Sequence, residues 1–199
     1  MNNFKKISEW EYILLDTSFI IDFLTEPDRL DKNPKKKENS IMAKDIMKCL
    51  SLDTRKIKPQ FYITTVTIGE LKFLTAKSVA KKLLELFSCG DVTILPYGRN
   101  EAELLNTITY NLNSKQNVNI AKKIKEQCAL HKCANIRSWI SDDEKILSCA
   151  LYQFEHNRLD VILTSDEHTF KPIADFLELP CITLDKRNFC TNLWGELDV

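Results

Sequence analysis

No apolar run in this 199-residue chain approaches the roughly 18 residues needed to span a bilayer. The first residues, Met1 to Lys6, lead into Ile7-Ser8-Glu9-Trp10-Glu11 rather than an uninterrupted apolar core, so no secretory signal is visible. A cytoplasmic protein with no membrane partner is the expectation. There are only four glycines, and no GxGxxG follows a strand, which argues against dinucleotide binding. The seven cysteines, at 49, 89, 128, 133, 149, 181 and 190, are odd in number and never form CxxC. They read as reduced thiols, several of them acting as small hydrophobes. Cys128, His131 and Cys133 lie close in sequence, but no second ligand pair has structural-zinc spacing, which disfavours zinc.

The chain also lacks net charge, yet its charges are unevenly spread. Arg29 to Lys58 holds ten Lys/Arg against four Asp/Glu, and Lys115 to Arg137 holds six against one. Two basic segments on an otherwise acidic body suggest a polyanionic partner, although Lys35-Lys36-Lys37 alone reads as a solvated loop. With 44% hydrophobic and 28% charged residues the composition is that of a globular protein, and the length suits one domain, residues 1–199.

Short apolar runs alternate with stretches of helical spacing. Tyr12–Leu15, Phe61–Thr64, Val92–Leu95, Val161–Thr164 and Cys181–Leu184 read as five strands. Helices are expected from about Phe19 to Leu24, Ile41 to Leu52, Ser78 to Phe87, Glu101 to Leu112, Ile120 to Leu130, Ser141 to Phe154 and Phe170 to Leu177, with a long loop at Pro27 to Asn39 and an irregular join at His131 to Ser138. That order predicts an α/β fold, a parallel sheet of about five strands with helices on both faces.

The chain is organised around Leu14-Leu15-Asp16-Thr17-Ser18, where a strand hands over to a helix. In an open α/β sheet this edge, outside the carboxyl ends of the strands, is where ligands bind. Acids recur at comparable junctions: Glu70 after the second strand, Asp142 and Asp143 at the expected start of a helix, and Asp166 after the fourth strand. Helix capping is the competing account. Asp16 suits an N-cap, and Thr67-x-x-Glu70, Ser141-x-x-Glu144 and Thr164-x-x-Glu167 each fit a capping box. Asp143 and Asp166 are then left as first-turn acids, which the helix dipole favours only slightly.

Acids meeting on one sheet edge repel one another unless cations bind or some carboxyls take up protons. Hard oxygen ligands without nearby His or Cys favour Mg²⁺ or Mn²⁺ over zinc. Divalent ions on carboxylates activate water for phosphodiester cleavage. The pattern points to metal-dependent phosphodiester hydrolysis.

Four pieces of the chain also resemble PIN-domain proteins, and within that superfamily the VapC-type toxin ribonucleases of toxin–antitoxin pairs. They are Leu15-Asp16-Thr17-Ser18 with Ile20-Ile21-Asp22; Thr64-Thr65-Val66-Thr67-Ile68-Gly69-Glu70-Leu71; Asp143-Glu144-Lys145-Ile146-Leu147-Ser148-Cys149-Ala150; and Leu163-Thr164-Ser165-Asp166 ahead of Phe170. The resemblance implies a three-layer PIN-like fold and a metal site in which Asp16 and Asp143 are the main ligands. Glu70 and Asp166 would complete it and orient the attacking water, and Thr164 or Ser165 would add a hydroxyl. Asp142 rivals Asp143, but Asp143 shares a register with Ile146 and Ala150. The implied activity is an endoribonuclease using Mg²⁺ or Mn²⁺ and leaving 5′-phosphate and 3′-hydroxyl ends. The implied partners are RNA, a cognate antitoxin protein and a second copy in a homodimer. Compact toxins of this type are shorter, and the excess here lies at about 27–59 and 113–139, the two basic segments. The alternatives are an inactive PIN-like scaffold that binds RNA or protein, and a nuclease acting on DNA.

Other residues read more plainly. His168, the histidine nearest the acidic junctions, suits a helix-surface position, and Asp22 suits pairing with a basic side chain. Trp10, Trp139 and Trp194 read as core or interface residues before base-stacking platforms. A haloacid-dehalogenase-type phosphatase needs a second acid two positions after the first, where Ser18 stands. The paired acids and phospho-accepting Asp of a response-regulator receiver have no counterpart.

Overall fold

The computed structural model describes residues 5–51, 58–74, 91–112, 122, 126 and 136–185. Five strands form one parallel sheet: β1 (Tyr12–Leu15), β2 (Gln60–Thr64), β3 (Asp91–Leu95), β4 (Val161–Thr164) and β5 (Cys181–Thr183), in the order β3-β2-β1-β4-β5. All five match the strands expected from apolar runs. For β1, β2, β4 and β5 the reason lies in burial on both sides, whereas the edge strand β3 leaves Asp91, Thr93 and Ile94 exposed. Ile13, Leu15, Phe61, Ile63, Val161 and Leu163 face one hydrophobic core, and the alternating Leu14, Tyr62 and Ile162 face the other. A strand buried on both faces has no polar side to show, so it reads as a continuous apolar run.

Helices α1 (Thr17–Leu24) and α2 (Pro34–Leu50) cover the first face through Phe19, Ile20, Leu24, Ile46, Met47 and Leu50. Helix α3 (Thr65–Leu74) joins them through Leu71. Helices α4 (Arg99–Leu112), α5 (Ile136–Glu155) and α6 (Phe170–Phe176) cover the opposite face through Ile108, Ile146, Leu147, Ala150, Phe170 and Ile173. The architecture is therefore a three-layer α/β/α sandwich, as the alternation of elements predicts.

The strand order fixes where a site can form. From β1 the chain steps outward to β2 and β3 with helices on one face, then returns to β4 and steps outward to β5 with helices on the other. The reversal falls between β1 and β4, which pair directly through Ile13 with Val161 and Leu15 with Leu163. The crevice beyond the carboxyl ends of those two strands is the topological switch point, the general ligand position of open α/β sheets.

Three boundaries differ from the sequence reading. The expected loop at Pro27 to Asn39 contains a 3₁₀ turn at Pro27–Arg29 and then the start of α2 at Pro34. Asn33 caps that helix by accepting from the Lys36 backbone N–H at 3.2 Å, and proline is favoured in a first helical turn because its missing N–H had no partner to lose. The segment at 27–59 thus includes a core helix with Ser40, Ala43 and Ile46 buried. Helix α5 begins at Ile136, within the expected irregular join and five residues before Ser141. The helices expected at Ser78 to Phe87 and Ile120 to Leu130, Trp194, and the Cys128, His131, Cys133 group lie outside the described residues, apart from positions 122 and 126.

Among the described residues, no helix is long and apolar enough to cross a membrane. Cys149 and Cys181 are free, buried thiols, and burial pushes the Cys149 thiol up to about 12. These two are packing residues, as expected. Trp10 is also core, fully buried, with its indole N–H donating to the Lys5 carbonyl at 2.9 Å.

Candidate active site

Each predicted acid is delivered to the switch point by a different element. Asp16 follows β1 and is the N-cap of α1, accepting from the Ser18 backbone N–H at 3.3 Å. The same oxygen, Oδ2, also accepts from the Ser18 hydroxyl at 2.6 Å and the Thr164 hydroxyl at 2.8 Å. Capping is therefore part of what Asp16 does, but two further donors converge on it from α1 and from the end of β4. Asp16 is buried, and burial pushes its carboxyl above the ordinary range against the pull of those hydroxyls.

Glu70 projects from α3. The expected capping box with Thr67 does not form: Thr64 caps α3, its hydroxyl accepting from the Thr67 N–H at 3.0 Å, and Glu70 instead accepts from the Thr17 hydroxyl. Burial raises its carboxyl, and the charges of Asp16 and Asp142 raise it further.

Asp143 lies well inside α5, because that helix starts at Ile136. Neither a capping box at Ser141 nor a first-turn dipole role applies there, since the dipole effect fades within the first turn. Its carboxyl is pushed well above the ordinary range, first by burial and then by the charges of Asp16, Asp166 and Glu70. Asp142, one position earlier, is 44% exposed in its side chain and accepts from Lys145 at 2.7 Å. Of the two rivals, Asp143 feels the charges of Asp16, Asp166 and Glu70, whereas the charge of Asp142 acts on Glu70.

Asp166 sits in the turn between β4 and α6. Its Oδ1 accepts from the backbone N–H groups of His168 at 2.7 Å and Thr169 at 2.9 Å, a local turn of the kind Asp side chains favour. The expected capping box of Thr164 with Glu167 is absent. Thr164 serves Asp16 and the Asp166 N–H, and Glu167 pairs with Lys35 of α2 at 3.0 Å. His168 is exposed and contributes its backbone N–H, in keeping with a surface position.

Hydroxyls hold the acids in place, and two of these the sequence reading did not assign. Thr17 binds Glu70, and the Thr169 hydroxyl touches both Asp143 at 2.9 Å and Asp166. Both follow an acid closely in sequence, Thr17 by one residue and Thr169 by three. Of the two expected hydroxyls, Thr164 reaches Asp16, whereas Ser165 donates only its backbone N–H, to Ser18 Oγ at 2.8 Å. The buried Ser165 hydroxyl lies toward Asp22 without ordinary hydrogen-bond geometry. Asp22 is buried and its carboxyl is raised for that reason, opposed by Ser165, Asn39 and the charge of Lys36. The charge of Lys36 reaches it, but among the described residues no ion pair holds Asp22, so the expected pairing with a basic side chain is not the arrangement adopted.

The donor chemistry fits a hard divalent ion: carboxylate and hydroxyl oxygens, with no imidazole or thiolate among the contacts of the four acids. In the present side-chain arrangement, among the described residues, no group of three or more His, Cys, Asp or Glu is placed to hold a metal ion. The acids lie within electrostatic reach of one another while each is turned to a hydroxyl.

The first basic segment is partly spent on ion pairs. Besides Lys35 with Glu167, Lys37 pairs with Asp31 at 2.7 Å, Lys44 with Glu26 at 3.0 Å and Lys58 with Asp91 at 3.6 Å. These are largely exposed contacts, weak enough for a lysine to exchange its carboxylate for a phosphate. No protein-family model matches this sequence, and no curated protein matches it.

Proposed function

We propose that the chain is a metal-dependent endoribonuclease of the PIN type, acting on RNA as the toxin of a VapC-like toxin–antitoxin pair. One observation carries the reading. Asp143, half-buried and in the interior of a helix where no capping role applies, feels the charges of Asp16, Glu70 and Asp166 at the switch point of the sheet. A close set of like charges, one of them buried and the rest half-buried, is costly to keep unless something of opposite charge completes it.

Asp16 and Asp143 would hold Mg²⁺ or Mn²⁺, with Glu70 and Asp166 completing the set. The bound ion would supply an activated water and stabilise the charge that develops on the phosphate. Ser18 and Thr164 hold Asp16 by Oδ2, so the carboxylate cannot rotate freely. Glu70 and Asp166 would orient the attacking water by accepting hydrogen bonds from it. Attack of that water on the phosphorus, with its proton passing to the departing 3′-oxygen, would leave 5′-phosphate and 3′-hydroxyl ends. Lys35 and Lys36 lie on the first turn of α2, where Lys35 reaches the acidic edge through its pair with Glu167, and they would meet the RNA backbone. A cognate antitoxin and a homodimer belong to the same proposal through the family resemblance.

The test is cleavage of a mixed pool of structured and single-stranded RNA and DNA with Mg²⁺, Mn²⁺ or EDTA. The wild type should release metal-dependent RNA fragments with 5′-phosphate ends, and Asp16→Asn with Asp143→Asn should release none. Cleavage that survives EDTA, or 2′,3′-cyclic phosphate products, would contradict the mechanism. A folded, antitoxin-free protein that binds RNA and never cuts it would establish the scaffold reading instead.

A further inference from the structure

We infer that Thr169 is a positioning residue for this site, its hydroxyl holding Asp143 and Asp166 together as one pair of ligands. The inference rests on the metal-nuclease reading above. Asp143 comes from α5 and Asp166 from the β4–α6 turn, and among the hydrogen bonds of the described residues the Thr169 hydroxyl is the group that touches both carboxylates, each at its Oδ2.

The residue's own position sharpens the point. Thr169 is the N-cap of α6, where a threonine ordinarily accepts from a free N–H of its helix. Here the side chain makes no such bond; the hydroxyl instead stands between the two acids, its single proton going to one carboxylate oxygen at a time. Thr169 is only 3% exposed, so bulk water does not compete for either contact. Its backbone adds a third link, donating to Asp166 Oδ1 at 2.9 Å. One residue, by its backbone N–H and its hydroxyl, thus meets both oxygens of Asp166 and ties it to a helix that starts thirty positions earlier in the chain.

Partners that orient a metal's ligands affect affinity strongly, and their loss costs about 10–100-fold. The experiment titrates Mn²⁺ into the purified full-length protein, following the free-ion electron paramagnetic resonance signal, for the wild type, Thr169→Val, Thr169→Ser and Thr169→Ala. Near-ultraviolet circular dichroism reports folding. Val keeps the shape without the hydroxyl, and Ser against Ala isolates the hydroxyl if Val does not fold. Val and Ala should weaken Mn²⁺ binding by about 10–100-fold, with Ser close to the wild type. A helix-start role alone would leave affinity unchanged in every folded variant. Unchanged affinity in Val or Ala, or a Ser variant as weak as Ala, overturns the inference and leaves the nuclease reading standing. A folded wild type that binds no Mn²⁺ overturns both.

Discussion

The two ends of strands β1 and β4 treat carboxylates withdrawn from solvent, in whole or in part, in opposite ways. At the amino ends, Asp160 accepts from the Glu11 N–H at 2.7 Å, the Tyr12 N–H at 2.9 Å and the Lys5 ammonium at 2.5 Å. Burial pushes its carboxyl up, but the Lys5 hydrogen bond and those N–H groups outweigh it, and the group settles below the ordinary range. At the carboxyl ends, Asp16, Glu70 and Asp143 are met mainly by neutral hydroxyls and by one another, and all three are raised. The first arrangement is complete within the chain. The second has negative charge to spare.

The comparison breaks most sharply in catalysis. Asp16→Asn and Asp143→Asn should each lower metal-dependent RNA cleavage by more than about 100-fold, beyond the usual cost of losing an outer partner of a metal. Replacing Asp160 should leave turnover per folded molecule unchanged. A cleavage assay normalised to folded protein checks both, and an Asp160 variant as inactive as Asp16→Asn would erase the distinction.

Stability should show the reverse order. Asp160→Ala strands two backbone N–H groups and a lysine, at a cost of about 1–3 kcal/mol. For a chain of this size that is a fall in Tm of about 2–4 °C per kcal/mol. Asp143→Asn removes a repelled charge, and without metal it should raise Tm instead, as calorimetry in EDTA would show. The pH dependence follows from the same directions. A raised carboxyl stabilises the fold fully below its unfolded value, 3.8 for Asp and 4.5 for Glu, and that contribution is lost as pH rises through the raised folded value. The lowered Asp160 contributes above 3.8 and loses its contribution as pH falls through its folded value. Metal-free protein should therefore gain stability on going from neutrality toward the ordinary carboxylate range, and Asp143→Asn should flatten that rise. Urea unfolding across pH in EDTA measures the slope. An equal slope in the variant would remove Asp143 as its source.

The two ends were not equally legible in the sequence. All five strands were: β1, β2, β4 and β5 because burial on both faces leaves a nearly continuous apolar run, and the largely exposed edge strand β3 because Val92, Ile94 and Leu95 still form a short apolar run before Pro96. The acids of the carboxyl edge were legible as residues at strand-to-helix junctions, but the reasons given for them shifted. Three capping boxes fit the spacing and none was the arrangement adopted around Glu70, Asp143 or Asp166, since Thr64 caps α3, α5 starts earlier, and Thr164 turns to Asp16. A spacing rule counts residues from an assumed helix start, and moving that start changes which acid needs explaining. Asp160 drew no notice, because a lone acid before a strand gives no local sign of a lysine 155 positions away. Thr169 was hidden for the same reason: its link to Asp143 is made in space. Helix α2 was obscured by Pro34 and three lysines, features that suit a helix's first turn as well as a loop.

The smallest expected effect concerns Lys35, which joins the first turn of α2 to Glu167 beside Asp166. Its side chain is 61% exposed and that of Glu167 is 33% exposed, so the pair should contribute within about 1 kcal/mol. Lys35→Ala should barely move Tm. An RNA-binding role predicts a different signature, because each lost phosphate contact lowers the dependence of log affinity on log salt by about one. Binding measured over a salt series thus separates two uses of one lysine. A flat Tm with a reduced salt slope would place the phosphate backbone along α2, next to the acidic edge. An unchanged slope would confine Lys35 to its pair with Glu167 and move the polyanion track elsewhere on the molecule.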